Sequence, residues 1–297
     1  MKELEVDVFI CTYKRPSLIA AVNSVLEQKL KNIHCFIHVI DNDEEKSALK
    51  LIHVFPKVSY HHAPKQNISI ARNKALELAN RDYLAFMDDD QVASPDWLAN
   101  LVQTQQAKNA DIVLGPVLAN YPESTAEWIK RGDFFTTRPS FKNHHRIETG
   151  YTGNVLIRKA SVGNTRFKEQ LGQSGGEDTI FFDELYQKGA SFSFSQDALM
   201  METIDPNRLR LSWLIRRTIR NGQTYARILK QRRGTHAFAI LSASAKLLYS
   251  LTSIMFCLRS PVAWGRNLLR AMFHFGVLTK FFGKTDLQNY RAINVQK

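Results

Sequence analysis

The chain has 297 residues, of which 44% are hydrophobic, and it carries a formal net charge of +12. This length and composition are enough to bury a substantial core, which excludes a disordered tail and a small disulfide-stapled protein. The three cysteines, Cys11, Cys35 and Cys257, are odd in number and lack the CxxC spacing. They indicate neither a disulfide framework nor a structural zinc site, and they favour a reducing compartment.

The positive charge is concentrated in the C-terminal third of the chain. Residues 208–297 contain 17 Lys or Arg and one acidic residue, whereas residues 1–207 contain 23 Lys or Arg and 27 Asp or Glu. We therefore predict a mildly acidic catalytic domain over residues 1–207 and a basic helical region over residues 208–297 that associates with an anionic surface. The first residues show no basic segment followed by an apolar run, so we expect no secretory signal.

Predicted strands and helices alternate along the first part of the chain. β-Branched and aromatic runs predict strands over residues 6–11, 34–40, 58–61, 83–87, 112–117 and 154–158. Helical spacing of apolar residues predicts helices over residues 17–28, 68–79, 95–107 and 177–187. Such alternation is typical of the α/β class, in which a mostly parallel sheet is covered by helices on both faces. Ligands of these sheets bind beyond the carboxyl ends of the strands, where Asp41 and Asp88 fall.

Three consecutive carboxylates, Asp88, Asp89 and Asp90, follow the predicted strand over residues 83–87. At about 4 Å and an effective dielectric near 20, the repulsion of each adjacent pair costs about 4 kcal/mol. A hard cation such as Mg²⁺ or Mn²⁺ would relieve this repulsion and would also bind phosphate oxygens. A solvated acidic loop is the alternative. Arg72, on the preceding predicted helix, is a candidate ligand for a diphosphate or a base, with an ordinary surface arginine as the alternative.

Six segments taken together resemble the inverting nucleotide-sugar glycosyltransferases of family 2, which have the Rossmann-like GT-A fold. The matching segments span about residues 5–190 in the family's order: CTYKRP, IDN, NISIARN, FMDDD, TGNVLIRK and GGEDTIFFDELYQKG. Each segment is weak evidence alone, but their order and spacing are specific. The resemblance implies an α/β GT-A domain that takes a nucleoside diphosphate sugar as donor and Mn²⁺ or Mg²⁺ as cofactor.

The resemblance also implies roles for individual residues. Thr12 and Arg15 would line the nucleotide pocket, Asp41 would accept a hydrogen bond from the base, and Arg72 would lie near the base or the diphosphate. Asp88 and Asp90 would be the outer acids of the DxD motif, with Asp88 near the ribose and the metal and Asp90 on the metal. Asp89 takes the variable middle position. Many relatives have an acid where this chain has Gln91, so the metal shell is expected to rest on Asp90 and water.

Asp178 is the implied catalytic base, with Glu177 as the second candidate, because the two residues resemble the family's ED motif, in which the aspartate is taken as the base. An acceptor hydroxyl must lose its proton as it attacks the anomeric carbon, in a single displacement that inverts the sugar. Gly153 and Asn154 match the family segment beside the donor sugar and the acceptor. The alternative for Glu177 and Asp178 is that both acids only stabilise the start of a helix.

The C-terminal third is predicted to be helical and associated with a membrane. Residues 209–233 form a basic amphipathic pattern. Residues 237–258 are long enough to span a bilayer, but Lys246 near their middle costs about 3 kcal/mol, so that spanning is marginal. Over residues 262–282, Arg266, Arg270 and His274 form a narrow polar stripe on an apolar helix, which is typical of helices in the membrane interface. The alternative is a helical hairpin that folds onto the catalytic domain or forms a dimer.

These patterns predict a glycosyltransferase that uses a UDP-sugar and a lipid-linked or polysaccharide acceptor in cell-surface glycan biosynthesis. We expect it on an anionic membrane surface, at the cytoplasmic face of a bacterial inner membrane. A sugar nucleotidylyltransferase is the first alternative, although CTYKRP lacks the glycines of a phosphate-binding loop. A basic nucleic-acid-binding protein is the second alternative. The Leu- and Phe-rich character of residues 237–283 favours lipid, so no nucleic-acid partner is expected.

Overall fold

The computed structural model describes residues 3–142, 146–232 and 236–283, which divide into two units. The first unit comprises the described residues of Met1–Asn120, Thr136–Gly172 and Glu177–Thr203. The second comprises those of Tyr121–Phe135, Gln173–Gly176 and Ile204–Lys297. The second unit therefore takes two internal segments from the first 207 residues, and its C-terminal part begins at Ile204. The division into a catalytic domain over 1–207 and a membrane-associating region over 208–297 stays a prediction.

The described secondary structure follows most of the predicted elements. The strands are β1 (Leu4–Thr12), β2 (Ile33–Asp41), β3 (Val58–His62), β4 (Tyr83–Asp88), β5 (Gln91–Ala93), β6 (Ile112–Leu114), β7 (Val117–Asn120), β8 (Phe141–Lys142), β9 (Arg146–Ile147), β10 (Asn154–Arg158), β11 (Phe192–Phe194) and β12 (Met200–Thr203). The helices of the first unit are α1 (Leu18–Leu26), α2 (Leu49–Ile52), α3 (Ile68–Leu78), α4 (Trp97–Lys108), α6 (Lys159–Val162) and α7 (Glu177–Gln187). Those of the second unit are α5 (Glu127–Gly132), α8 (Leu211–Gln231), α9 (His236–Phe256) and α10 (Pro261–Phe281).

A seven-stranded sheet with the order β11-β6-β10-β4-β1-β2-β3 forms the centre of the first unit. All its pairings are parallel except those of β10, which runs antiparallel to β4 and β6. Alternate residues of β1 point to opposite faces, as a pleated strand requires. Val8 and Ile10 belong to a core cluster with α1 and α4, whereas Phe9 belongs to a second cluster with α3 and α7. The predicted α/β class and mostly parallel sheet are confirmed.

The strand predicted over residues 112–117 is instead two strands in different sheets. β6 ends at Leu114 in the large sheet, and β7 begins at Val117 in a small sheet with the order β5-β12-β7. Gly115 and Pro116 separate the two, because proline cannot donate a ladder hydrogen bond and a glycine lets the backbone bend closely past its neighbours. An added Cβ at Gly115 would lie 2.5 Å from the carbonyl oxygen of Ala198. The small sheet positions Gln91 and Glu202 opposite each other.

In the second unit, α8 and α10 pack so closely that their backbones touch. A Cβ added at Gly222 of α8 would overlap the carbonyl oxygen of Phe273, and one added at Gly276 of α10 would overlap that of Ile219. The neighbouring apolar contacts include Ala226 and Val277, both buried. The predicted helices over residues 237–258 and 262–282 are confirmed as α9 and α10. The helix predicted over residues 209–233 is confirmed as α8, and Arg233 lies outside the described residues.

We expect Gly222→Ala to destabilise the second unit, although alanine favours helices by up to about 1 kcal/mol over glycine. The added methyl must displace the backbone of α10, and overpacking of this kind costs about 1–3 kcal/mol. Asn221→Ala, at the exposed neighbouring position of the same helix, is the control and should be neutral or slightly stabilising. Calorimetric unfolding measures both. An unchanged or raised transition for Gly222→Ala would contradict the close helix contact.

Candidate active site

The three consecutive acids lie at the carboxyl edge of the large sheet. β4 ends at Asp88, whose neighbour across the parallel ladder is Cys11 of β1, one residue before Thr12. Because parallel strands end at the same edge, the loops after β1 and β4 lie side by side. The geometry of the first unit therefore brings Thr12 and Arg15 next to the acids, and their roles in a nucleotide pocket stay predictions.

Thr12 and Arg15 bind the second and third acids. The Thr12 hydroxyl donates to Asp89 Oδ2 at 2.7 Å, and Arg15 Nε lies 3.6 Å from Asp89 Oδ1. Arg15 Nη1 also forms an ion pair with Asp90. Burial raises the pKa of Asp89 to about 7, against the lowering effects of Arg15 and the Thr12 hydroxyl. For Asp89, the effect of burial therefore outweighs the stabilisation that Arg15 and Thr12 give to its carboxylate.

Arg72 is the buried cation of the site. Its helix, α3, begins at the N-cap Asn67, whose side chain accepts from the backbone N–H of Ser69 and Ile70. The Arg72 side chain is 8% exposed, forms an ion pair with Glu177, and places Nη2 3.4 Å from Asp88 Oδ1. Its guanidinium thus joins an acid from β4 to an acid from α7, two elements far apart in the sequence.

Glu177 and Asp178 form the first turn of α7. Glu177 is buried, whereas Asp178 is partly exposed and accepts from the backbone N–H of Thr179 at 2.6 Å and from its hydroxyl at 3.2 Å. The charge of Asp178 is close enough to raise the pKa values of both Asp88 and Arg72. The two candidate bases therefore differ, since Glu177 is engaged by Arg72 and Asp178 is the acid that reaches solvent.

The negative charge of Asp88 is only partly compensated by its surroundings. About 43% of its side-chain surface reaches solvent, yet the surrounding protein withdraws it from bulk water and raises its pKa to about 6. Arg72 opposes this shift, while Asp90, Glu202 and Asp178 add to it. Glu202 was missed by the sequence analysis. It lies on β12 in register with Gln91, and only the pairing of β5 with β12 brings it to this edge.

Gln91 occupies the position at which many relatives have an acid. Its Oε1 accepts from the backbone N–H of Asp88 at 3.1 Å, so it fixes the loop that carries the acids. Gly153 approaches the same group, since an added Cβ there would lie 2.7 Å from Gln91 Nε2 and 3.1 Å from Asp88 Oδ2. Gly153 thus lies beside the acids, and a larger residue there would displace Gln91 or Asp88.

Two predicted site residues have structural contacts instead. Asp41 is fully buried and accepts from the backbone N–H groups of Asp43 and Ala48 and from the Tyr60 hydroxyl. Asn154 is also fully buried, where it accepts from Trp97 Nε1 at 2.8 Å and donates to two backbone carbonyls. In this conformation neither side chain is directed to the acidic group. Their predicted contacts with base and sugar stay predictions that would require these hydrogen bonds to be exchanged.

The acidic group has the chemistry that Mn²⁺ or Mg²⁺ requires, because it offers several carboxylate oxygens as donors at one sheet edge. Within the described residues, no three His, Cys, Asp or Glu side chains already form a metal-ligand set. Mg²⁺ is commonly held by one or two carboxylates, with water and substrate phosphates completing the shell. The residues fit that arrangement, in which Asp90 and Asp88 would hold the ion.

The glycines before Glu177 lie within the second unit. Gly175 and Gly176 both have φ +86°, a conformation that other residues rarely adopt. An added Cβ at Gly175 would lie 2.6 Å from Arg220 Nη1, and one at Gly176 would overlap the Thr224 side chain. These two positions therefore require glycine both for backbone conformation and for the close approach of α8.

Comparison with known proteins identifies the family. The model of "Glycosyl transferase family 2" matches residues 7–165. The chain is 38% identical over 302 aligned residues to the succinoglycan biosynthesis protein ExoM of Rhizobium meliloti (strain 1021), covering 98% of this chain and 97% of that protein. It is 25% identical over 237 residues to the glucosyl-dolichyl phosphate glucuronosyltransferase of Haloferax volcanii, covering 74% and 75%. The chain belongs to glycosyltransferase family 2 and is a glycosyltransferase.

The fold agrees with this assignment. S. aureus TarS 1-349 in complex with UDP is similar with a TM-score of 0.52 and 15% identity, over 95% of this chain and 92% of that one. A second crystal structure of S. aureus TarS 1-349 matches with a TM-score of 0.51. The predicted GT-A fold is confirmed, and the enzyme class is the one predicted from the six segments.

We expect Arg72→Met to destabilise the protein by about 3–5 kcal/mol, because it leaves the buried Glu177 without its cation. Thermal unfolding measures the loss. The double variant Arg72→Met/Glu177→Gln should recover part of it, since the uncompensated charge is then removed as well. Equal transition temperatures for Arg72→Met and the wild type, or no recovery in the double variant, would show that the ion pair does not stabilise the site.

Proposed function

We propose that the protein is a metal-dependent inverting glycosyltransferase that moves a sugar from a UDP-sugar to a hydroxyl of a lipid-linked or polysaccharide acceptor in cell-surface glycan biosynthesis. The observation that carries this proposal is the grouping of Asp88, Arg72 and Asp178 at one sheet edge. A site of this kind offers a cation for a leaving diphosphate and a solvent-reaching carboxylate for a proton. Both are needed for a single displacement on a nucleoside diphosphate sugar.

The donor end of the site would be formed by Thr12, Arg15, Arg72 and the acids after β4. A bound Mn²⁺ or Mg²⁺ would stabilise the negative charge that develops on the departing diphosphate. The guanidinium of Arg72 is held in place by Glu177, so its orientation is fixed before the donor binds. Arg15 is more exposed and pairs with Asp89 and Asp90, so that donor binding can draw it from these acids to the phosphates.

Asp178 would accept the proton of the acceptor hydroxyl. Its position at the start of α7 places it within electrostatic reach of Asp88 and Arg72, and its partial exposure leaves it accessible to an acceptor. The hydrogen bonds from Thr179 hold one oxygen of the carboxylate. Glu177 serves instead to position Arg72, because its side chain is buried in that ion pair.

The names of two similar proteins support the acceptor class. One is a succinoglycan biosynthesis protein, similar over nearly the whole chain, and another is named for a glucuronosyl transfer to glucosyl-dolichyl phosphate, a lipid-linked sugar. UDP is the nucleotide in the TarS complex, whose likeness to this chain concerns the fold. We accordingly propose UDP as the donor nucleotide and a location at the cytoplasmic face of a bacterial membrane, where lipid-linked acceptors would be reached.

We expect UDP with Mn²⁺ to raise the unfolding temperature more than GDP or TDP does, because the proposed donor site would bind UDP most tightly. A ligand present at 100 times its dissociation constant adds about 2.7 kcal/mol to the free energy of unfolding. The thermal-shift assay compares each nucleotide with and without metal. Preference for GDP or TDP would overturn the UDP proposal and leave the transferase class intact. The absence of any nucleotide effect, with or without metal, would overturn the proposed donor site.

Asp178→Asn should lower kcat by about 10²–10⁴ while leaving the nucleotide-dependent thermal shift unchanged, because it removes the proton acceptor and spares the donor site. Sugar transfer from labelled UDP-sugars to a membrane lipid extract measures this. The control is Glu184→Gln on the same helix, where Glu184 pairs with Lys168. If both variants retain wild-type turnover, Asp178 is not the base.

A further inference from the structure

The outer face of α9 is a continuous apolar surface. Six large apolar or aromatic side chains of this helix are more than 60% exposed, with Phe238 at 72% and Phe256 at 89%. At about 100° per residue, they fall within an arc of about 120° on the helix. They are Phe238, Leu241, Leu248, Tyr249, Met255 and Phe256. The buried residues Ala243 and Ser250 lie on the opposite side, which packs within the second unit.

This pattern differs from that of an ordinary amphipathic surface helix, whose exposed side is polar. Here the inner face packs against protein and the outer face is also apolar. Lys246 lies about 60° outside the exposed apolar arc, on the flank of the helix. An exposed apolar surface of this size marks an interaction site, because water contact with six large side chains is unfavourable.

The charges around α9 argue for a specific occupant. Residues 208–283 contain 14 Lys or Arg and no Asp or Glu. Arg232 precedes α9, and the exposed Arg259 follows it, so basic residues flank the apolar face at both ends. Two copies of this surface would repel each other, whereas anionic lipid headgroups attract it by about 1 kcal/mol per basic residue. The complement of an apolar face between basic ends is an anionic lipid leaflet.

The neighbouring helix α10 distinguishes a spanning orientation of α9 from one parallel to a membrane surface. By length and composition, α9 is the one helix among the described residues that qualifies as a membrane span. However, it forms a hairpin with α10 through residues 257–260, and α10 exposes Arg266 and Arg270 near its middle. A spanning hairpin would bring both arginines into the hydrocarbon at about 2.5–3.5 kcal/mol each. A helix lying in the plane of the interface leaves them with the headgroups.

The apolar surface continues past the end of α9. Leu258 is exposed in the turn, and Pro261 and Trp264 of α10 line an apolar cavity of about 350 Å³ within the second unit. Trp128 of α5 lines the same cavity. Tryptophan is enriched at membrane interfaces, where its ring spans apolar and polar surroundings. Leu258 therefore adds exposed apolar area at this end of the hairpin.

We propose that the outer face of α9 docks into one leaflet of an anionic membrane, with the helix parallel to the surface and the basic residues of the second unit at the headgroups. The inference deepens the proposed function by naming the surface through which a lipid-linked acceptor is approached. The link to an acceptor rests on the proposed function, whereas the docking itself is argued from the second unit and is tested separately from the chemistry of the first unit.

Vesicle flotation of the full-length protein tests this docking. The wild type should float with vesicles of phosphatidylcholine and phosphatidylglycerol, and more weakly with phosphatidylcholine alone. Leu248→Ser/Phe256→Ser should lower the partition coefficient at least about tenfold, because each large side chain loses its burial in hydrocarbon. The control is Leu49→Ser/Val54→Ser, which replaces two exposed apolar residues of the first unit and should leave partitioning unchanged.

Two results would overturn the docking. One is flotation of the double variant equal to that of the wild type, or no flotation of either. The other is a wild-type dimer that the α9 double variant converts to monomer without any vesicle binding, which would assign the face to a second copy. Circular dichroism confirms that the variant is folded. Its UDP-dependent thermal shift reports on the donor site, so failure of the transferase proposal is seen independently.

The orientation has its own test. Phe238→Trp, Leu248→Trp and Phe256→Trp each add one fluorophore along the outer face, and brominated lipids quench it according to its depth. A helix in the plane gives similar depths at the three positions relative to the parent protein. A spanning helix gives the greatest depth at position 248, and that result would overturn the orientation.

Discussion

The ion pair between Arg72 and Glu177 is the interaction on which the site depends. A guanidinium and a carboxylate are both withdrawn from water there, and each is tolerated only because the other is present. The pair ties α3 to α7 beside the end of β4. The site lies at the edge of the sheet. Within it, this ion pair engages Glu177 with the buried arginine and leaves Asp178 available to solvent.

The acidic side chains of the site outnumber the two arginines that lie among them. Burial is the largest cause of the raised pKa values of Asp88 and Asp89, and the neighbouring acids add to it while Arg72 and Arg15 oppose it. A protein that keeps such a group at a sheet edge sacrifices stability at that point. On our proposal the missing positive charge arrives with the metal ion, whose affinity is then coupled to that of the diphosphate.

Sequence patterns predicted the fold and indicated the consecutive acids as a candidate site because both signals are local. Strand and helix periodicity, and the consecutive acids after β4, can be recognised without tertiary structure. Glu202 could not be found in this way, because it lies near the acids only through the pairing of β12 with β5, and the sequence pattern predicted neither strand. Asp41 and Asn154 matched family segments, yet their side chains form hydrogen bonds within the fold. A motif fixes the residue type at a position, whereas packing decides where the side chain points.

Binding of Mn²⁺ by the full-length protein can be followed directly through the electron paramagnetic resonance signal of the free ion. We predict that UDP raises the affinity for Mn²⁺ at least about tenfold, since the diphosphate would add oxygen ligands to those of the acids. We also predict that Asp90→Asn removes most of this gain. UDP binding that is equally strong in the presence of a chelator, with no Mn²⁺ bound by the wild type, would contradict the account.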